Sequence, residues 1–192
     1  YRTMTAAHLE HSVGPSIYGA DQIAAAIARL ADEIAADHRG QPLVLIGVLK
    51  GALCLTTDLA RELACRTDGP SEVLVDYLCV ERYGLRGTRG GRPRLAMDAA
   101  LPVAGANVVI LDAIADRGQT LGFVRSLLES RRPAALRTCV LFEKEVPREV
   151  AVPIDYLGLP LPNLFAIGYG LDYQELYRNL PSLAELREGQ TV

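Results

Sequence analysis

The chain has 192 residues, of which 49% are hydrophobic and 22% charged, with a formal net charge of -3. Those proportions fit one ordinary globular domain with a sizeable core, and the acidic balance argues against a dominant role in binding nucleic acid, which calls for a basic face. No apolar run approaches the roughly 18 residues that span a bilayer, and the N-terminus lacks a charged-then-apolar leader pattern, so a cytoplasmic protein without a membrane role is expected.

From Ala20 to about Asp37 the chain is rich in Ala, with Ile23, Ile27, Leu30 and Ile34 at helical spacing and charges on the other face. This predicts an amphipathic helix, stopped by Gly40 and Pro42. Leu43 to Leu49 is a continuous apolar run, the pattern of a strand buried on both faces of a parallel sheet. Lys50-Gly51 ends it. A second helix is expected from about Ala52 to Ala64, then a strand from Val73 to Val80 closed by Glu81. Gly84 to Gly91 reads GLRGTRGG, four glycines and two arginines, which suits a mobile basic loop better than a packed element. Arg94 to Met97 continues a hairpin, Leu101 to Gly105 makes a turn, and Ala106 to Leu111 is a third buried strand. Gln119 to Ser130 is helical. Leu136 to Phe142, Ile154 to Leu157 and Phe165 to Tyr169 are the remaining expected strands, and the tail from Leu171 to Val192 is polar with local helical turns.

Alternating strands and helices imply a parallel α/β sheet whose ligand site lies at the carboxyl ends of the strands. Cys54, Cys65, Cys79 and Cys139 include no C-x-x-C pair, so buried free thiols are expected rather than a zinc or redox site. His8, His11 and His38 are the only histidines and have no carboxylate or Cys cluster beside them; surface positions are expected.

Val108 to Leu121 reads VVILDAIADRGQTL, a buried strand passing into a helix through a short loop that contains Gly118. Such a loop presents backbone N–H groups and a helix N-terminus to an anion. Asp112 at the strand end and Asp116 at the loop entrance suit ribose hydroxyls, a Mg²⁺ ion or a proton-accepting role. An Asp capping the helix is the purely structural alternative.

This segment resembles the phosphoribosyl diphosphate signature of type I phosphoribosyltransferases. Leu49-Lys50-Gly51, Val75-Asp76-Tyr77, Arg82-Tyr83-Gly84, Lys144, the run Phe165 to Tyr173 and Tyr177-Arg178-Asn179-Leu180 extend the likeness to the hypoxanthine-guanine phosphoribosyltransferases over roughly residues 17 to 182. The resemblance implies the type I fold, a parallel sheet flanked by helices, as a single domain over 1–192. A small hood would come from the N- and C-terminal segments, and a mobile loop would occupy about 82–95.

It also implies purine salvage: a purine base, hypoxanthine or guanine, joined to ribose 5-phosphate with release of pyrophosphate, and Mg²⁺ as cofactor. By the same resemblance Asp116 is the catalytic acid or base near N7 of the purine. The backbone of Asp116, Arg117, Gly118, Gln119 and Thr120, with the Thr120 hydroxyl, cradles the 5-phosphate, and Asp112 meets ribose hydroxyls. Lys50-Gly51, a loop where the family uses a non-proline cis peptide, and Arg178 meet pyrophosphate. Lys144 donates to the oxygen at C6, Phe165 stacks on the base beside Ala166, and Asp172 lies near the C2 edge or, with Asp112, holds Mg²⁺. Arg82, Tyr83 and the basic loop close over the centre and exclude water. Self-association as a homodimer or homotetramer is implied as well.

The pattern departs from the family in places. Ala113 stands where a second acid is usual, which implies a missing ribose or metal-linked carboxylate, and Arg117 replaces a small Thr or Ser, so its side chain points outward or adds charge at the phosphate. Arg82 replaces a Ser, and Asn163 an acid that precedes the stacking aromatic. These departures leave two further readings: a phosphoribosyltransferase for an unusual purine-like base such as a deazapurine, and a non-catalytic nucleotide-responsive regulator on the same scaffold.

Overall fold

The computed structural model describes residues 13–83 and 91–187, with Arg82 and Tyr83 described by their backbone alone. A strand β1 (Val13–Tyr18) leads into helix α1 (Ala20–Asp37), whose start is capped by the Gln22 side chain accepting the Gly19 N–H at 3.0 Å. Then follow β2 (Pro42–Leu49), α2 (Leu53–Ala64), β3 (Glu72–Tyr83), β4 (Arg92–Met97), β5 (Asn107–Ala115), α3 (Gln119–Glu129), β6 (Ala135–Lys144), β7 (Tyr156–Leu161), β8 (Ala166–Ile167) and β9 (Leu183–Leu186).

Six strands form one sheet in the order β4-β3-β2-β5-β6-β7, all parallel except β4, which runs antiparallel to β3. Both faces are covered, and the two-residue strand period sorts the side chains. Leu43, Leu45, Val109, Leu111 and Leu141 pack with α1 and α2 on one side. Val44, Ile46, Val108, Ile110 and Val140 pack with Leu121, Val124 and Leu128 of α3 on the other. Each such side chain, fully withdrawn from water, contributes roughly 1.5–3 kcal/mol, which is why these strands are uninterrupted apolar runs.

Several elements differ from the sequence reading. β3 extends to Tyr83 because it pairs with β4, with Arg82 opposite Pro93 and Tyr83 opposite Arg92. The described part of the expected 82–95 loop is therefore a β-ribbon, and residues 84–90 lie outside the described residues. β5 runs on to Ala115, so Asp112 sits inside the strand rather than at its end. β7 starts later than expected: Asp155 anchors a turn, donating its N–H to Thr138 O at 2.9 Å and accepting the Thr138 N–H at 2.7 Å. Pro160 is tolerated in β7 because that strand is an edge. The expected strand over Phe165 to Tyr169 shrinks to Ala166–Ile167, since Gly168, Tyr169 and Gly170 all have positive φ and turn the chain away.

The described part of the C-terminal tail contains a strand, not helical turns. β9 pairs antiparallel with both β1 and β8, making a separate three-stranded sheet from the two ends of the described chain. Ile167, Tyr177 and Ala184 form its small buried cluster. His38, expected at the surface, is only 3% exposed at the C-cap of α1, donating its N–H to Ile34 O. Burial, then nearby Arg137, depress its pKa.

Candidate functional site

The loop after β5 is shaped by Gly118, whose φ of +82 makes it the N-cap of α3, with no side chain capping the helix. Asp116 is thus not the helix cap, and the first-turn N–H groups of α3 are left to an external anion. A Cβ at Gly118 would stand 2.2 Å from Val150 O. That close approach is locked by the N–H groups of Glu149 and Val150, which both donate to Arg117 O at 3.0 and 3.1 Å. The loop borders a cavity of about 280 Å³ lined by Gly51, Asp112, Asp116, Gly118, Gln119 and Thr120, among others. The Arg117 side chain, 63% exposed, points outward to Glu149 at 2.6 Å, and the Gln119 amide reaches the same carboxylate.

Asp112 and Ala113 lie on opposite faces of β5. Asp112 is 8% exposed and borders the cavity; Ala113 is fully buried and packs in the cluster formed with α1 and α2. The alanine at the position of the family's second acid packs in that apolar cluster and beside the loop after β2, where a Cβ on Gly51 would stand 3.7 Å from its own Cβ.

A second cavity, of about 660 Å³, is lined by Asp116, Lys144, Asn163 and Phe165 together with the segment Val146 to Glu149. Lys144, the last residue of β6 rather than a residue beyond it, extends its ammonium to 3.9 Å from Asp116 Oδ2. Phe165 is 41% exposed, and Tyr173 meets it edge-on with centroids 5.9 Å apart. Ala166 follows in β8, paired with Glu185. Asp116 borders both cavities, so a group bound in one is within reach of a group bound in the other.

The third part of the site joins the loop after β2 to the segment after β8. The cis peptide expected around Lys50-Gly51 joins Leu49 to Lys50. Gly170, with φ of +92, presses so closely on this loop that a Cβ would stand 2.1 Å from Gly51 O. Arg178 donates to Gly170 O at 2.7 Å and pairs with Asp172 at 2.8 Å. Glu175 bridges Lys50 at 2.9 Å and Arg178 at 3.3 Å, and its N–H donates to Asp172 Oδ2. The sequence reading did not single out Glu175 or Glu149, and it named Tyr173 only as the end of a run, with no role. A left-handed turn at Gln174 and Glu175 aims that carboxylate, and nothing in the spacing of the residues announces such a turn.

Among the described residues no group of three or more His, Cys, Asp or Glu could hold a metal ion alone. Asp112 and Asp172 lie in different parts of the site, and Asp172 is already paired with Arg178. One or two carboxylates suit a Mg²⁺ that arrives on substrate phosphates and keeps part of its water shell, not a resident ion.

Residues 16–174 match the family model of the phosphoribosyl transferase domain. The chain belongs to the phosphoribosyltransferase family. It is 35% identical over 173 residues to the hypoxanthine-guanine phosphoribosyltransferase of Dictyostelium discoideum, covering 90% of this chain and 94% of that one. With the enzyme of the same name from Mycobacterium tuberculosis it shares 38% identity over 173 residues, 87% of this chain and 83% of the relative. The solved structure of the Trypanosoma cruzi hypoxanthine phosphoribosyl transferase superposes with a TM-score of 0.83 at 36% identity, covering 92% of each chain. In this phosphoribosyltransferase the type I fold thus brings Asp112 and the residues from Asp116 to Thr120 together at one cavity. It gathers Asp116, Lys144 and Phe165 at a second, and joins Lys50, Asp172 and Arg178 in one ion-pair network.

Proposed function

We propose that this phosphoribosyltransferase transfers the 5-phosphoribosyl group from phosphoribosyl diphosphate to hypoxanthine or guanine and releases pyrophosphate. The observation that carries the assignment of roles is the position of Asp116, between a backbone-lined anion cavity and a cavity holding a lysine and an exposed aromatic ring. The 5-phosphate occupies the smaller cavity against the N-terminus of α3, and Asp112 meets the ribose hydroxyls. The purine lies on Phe165, with its C6 oxygen accepting from Lys144. A C6 carbonyl suits that ammonium, whereas a 6-amino group would set donor against donor.

As the bond between C1 of the ribose and the diphosphate oxygen breaks, positive charge develops at the sugar, N9 of the purine bonds to C1, and the proton on N7 passes to Asp116. Lys144, 3.9 Å from Asp116, stands beside the carboxylate that accepts it. Lys50 and Arg178 take the departing pyrophosphate. Asp112 on the ribose side and Asp172 on the diphosphate side are the carboxylates that would hold a Mg²⁺ arriving with the donor, and it would supply charge neutralisation at the leaving group. Arg82 and Tyr83 belong to the ribbon formed by β3 and β4.

Self-association as a homodimer or homotetramer is part of the same proposal, as is a cytoplasmic location, where the charged donor is made and retained. Among the described residues no helix is long and apolar enough to cross a membrane. Incubation with phosphoribosyl diphosphate, Mg²⁺ and a panel of bases, followed by pyrophosphate release, tests the function. Release is expected with hypoxanthine and guanine and not with adenine. Absence of release with every base contradicts an active transferase, and a tenfold or greater preference for a deazapurine replaces the base assignment.

A further inference from the structure

The two cations read above as pyrophosphate ligands already hold an anion supplied by the protein. A single oxygen, Glu175 Oε2, accepts from Lys50 Nζ at 2.9 Å and from Arg178 Nη2 at 3.3 Å. Lys50 comes from the loop after β2, 125 residues earlier in the chain, so the bridge is a feature of the folded site and not a local turn contact. Its geometry is built: Gln174, Glu175 and Tyr177 all have positive φ, a region that side chains other than Gly rarely adopt, and the Glu175 N–H is tied to Asp172 Oδ2 at 2.9 Å. Hydrogen bonding from Lys50, then from Arg178, holds the Glu175 carboxyl below its ordinary pKa.

The bridge is also easy to open. The side chains of Lys50 and Glu175 are 58% and 64% exposed, and ion pairs so open to water are weak. A diphosphate offers more charge and more acceptor oxygens to the same two donors, so it displaces one carboxylate. Arg178 would not drift when this happens, because Asp172 and Gly170 O hold it separately.

We propose that Glu175 is an internal placeholder for the diphosphate: it keeps Lys50 and Arg178 converged on one anionic point in the empty site, yields them to the incoming donor, and reclaims them as pyrophosphate leaves. The proposal rests on the reading of Lys50 and Arg178 as diphosphate ligands. It makes Glu175 a positioning residue that competes with the product, so its removal strengthens product binding, whereas removal of a merely structural ion pair would not.

The test is the binding of inorganic pyrophosphate with Mg²⁺ to the full chain, measured by calorimetry, beside steady-state kinetics. Glu175→Gln is expected to lower the pyrophosphate Kd by about three- to tenfold. The KM for phosphoribosyl diphosphate should fall with it, while kcat stays level or drops as release slows. Glu175→Asp, which keeps the charge, should remain nearer the original protein. Glu175→Gly, which suits the left-handed backbone, gives an independent variant with the same expected sign as Glu175→Gln. Unchanged or weaker pyrophosphate binding in both neutral variants overturns the placeholder.

Lys50→Ala separates this failure from failure of the underlying assignment. It should weaken pyrophosphate binding and shrink the gain from Glu175→Gln in the double variant. If Lys50→Ala and Arg178→Ala both leave pyrophosphate binding intact, the two cations are not its ligands, and the placeholder falls with them.

Discussion

The anion cavity at Asp116 to Thr120 and the ion-pair network around Lys50 and Arg178 are both suited to phosphate groups, yet they are made in opposite ways. The first is backbone: a left-handed glycine, an uncapped helix N-terminus and a carbonyl clamped by two N–H groups, all within or against one short loop. The second is side chain: Lys50 from the loop after β2 meets Asp172, Glu175 and Arg178 from the segment after β8, and the pair between Lys50 and Glu175 is open to water. A backbone cradle tolerates changes of side chain and resists salt, because its donors are fixed by the fold. A network of exposed ion pairs can exchange partners but is sensitive to salt, pH and single substitutions. The difference suits a reaction in which one phosphate stays on the product and the other group must leave.

The largest effect should come from Asp116→Asn, which leaves the loop backbone in place. The kcat is expected to fall by about a hundredfold or more while the KM for the donor changes little, since the phosphate is held by N–H groups. A KM rise matching the fall in kcat would mean that this region relies on side chains after all. Gly118→Ala attacks the backbone itself. The left-handed φ and the 2.2 Å approach to Val150 O should together cost about 2 kcal/mol or more of stability, read as a lower Tm, with a higher KM for the donor. Arg178→Lys, in the second region, is expected to raise the donor KM by roughly tenfold, because an ammonium cannot reproduce the guanidinium's several simultaneous contacts. That increase should grow with salt, whereas the salt response of the 5-phosphate contact should stay shallow.

The smallest effect is in pH. A depressed carboxyl pKa contributes stability that is present above the ordinary value, 4.5 for Glu175, and lost as pH falls through the folded value. Melting curves of the original protein and Glu175→Gln should differ slightly above pH 4.5 and converge below it. The contribution is small because the pair is exposed.

The buried strands of the parallel sheet were legible as apolar runs, and the β5–α3 loop was legible because its strand, glycine and helix are contiguous. Ala113 could be read only as a missing acid until β5 was placed: the period of two puts it on the α1 and α2 face, apart from Asp112. β9 was missed because Leu183 to Leu186 is too short to show a period, and it exists as a strand only through its partners β1 and β8. His38 is polar by type and buried by circumstance, under the end of α1.

By itself the sequence determined the layered α/β architecture, the phosphate loop and the identity of Asp116, Lys144, Phe165 and Arg178 as the residues to examine. The architecture and the loop follow from hydrophobic period and from a glycine between strand and helix, whereas the four residues stood out by resemblance to the motifs of a known family. Only the tertiary structure decided that Asp116 stands between two cavities, that Arg117 turns out to Glu149, and that Glu175 joins Lys50 to Arg178. Each of these is a meeting of side chains far apart in sequence, and such a meeting is set by how the sheet edges and turns pack, not by any local pattern.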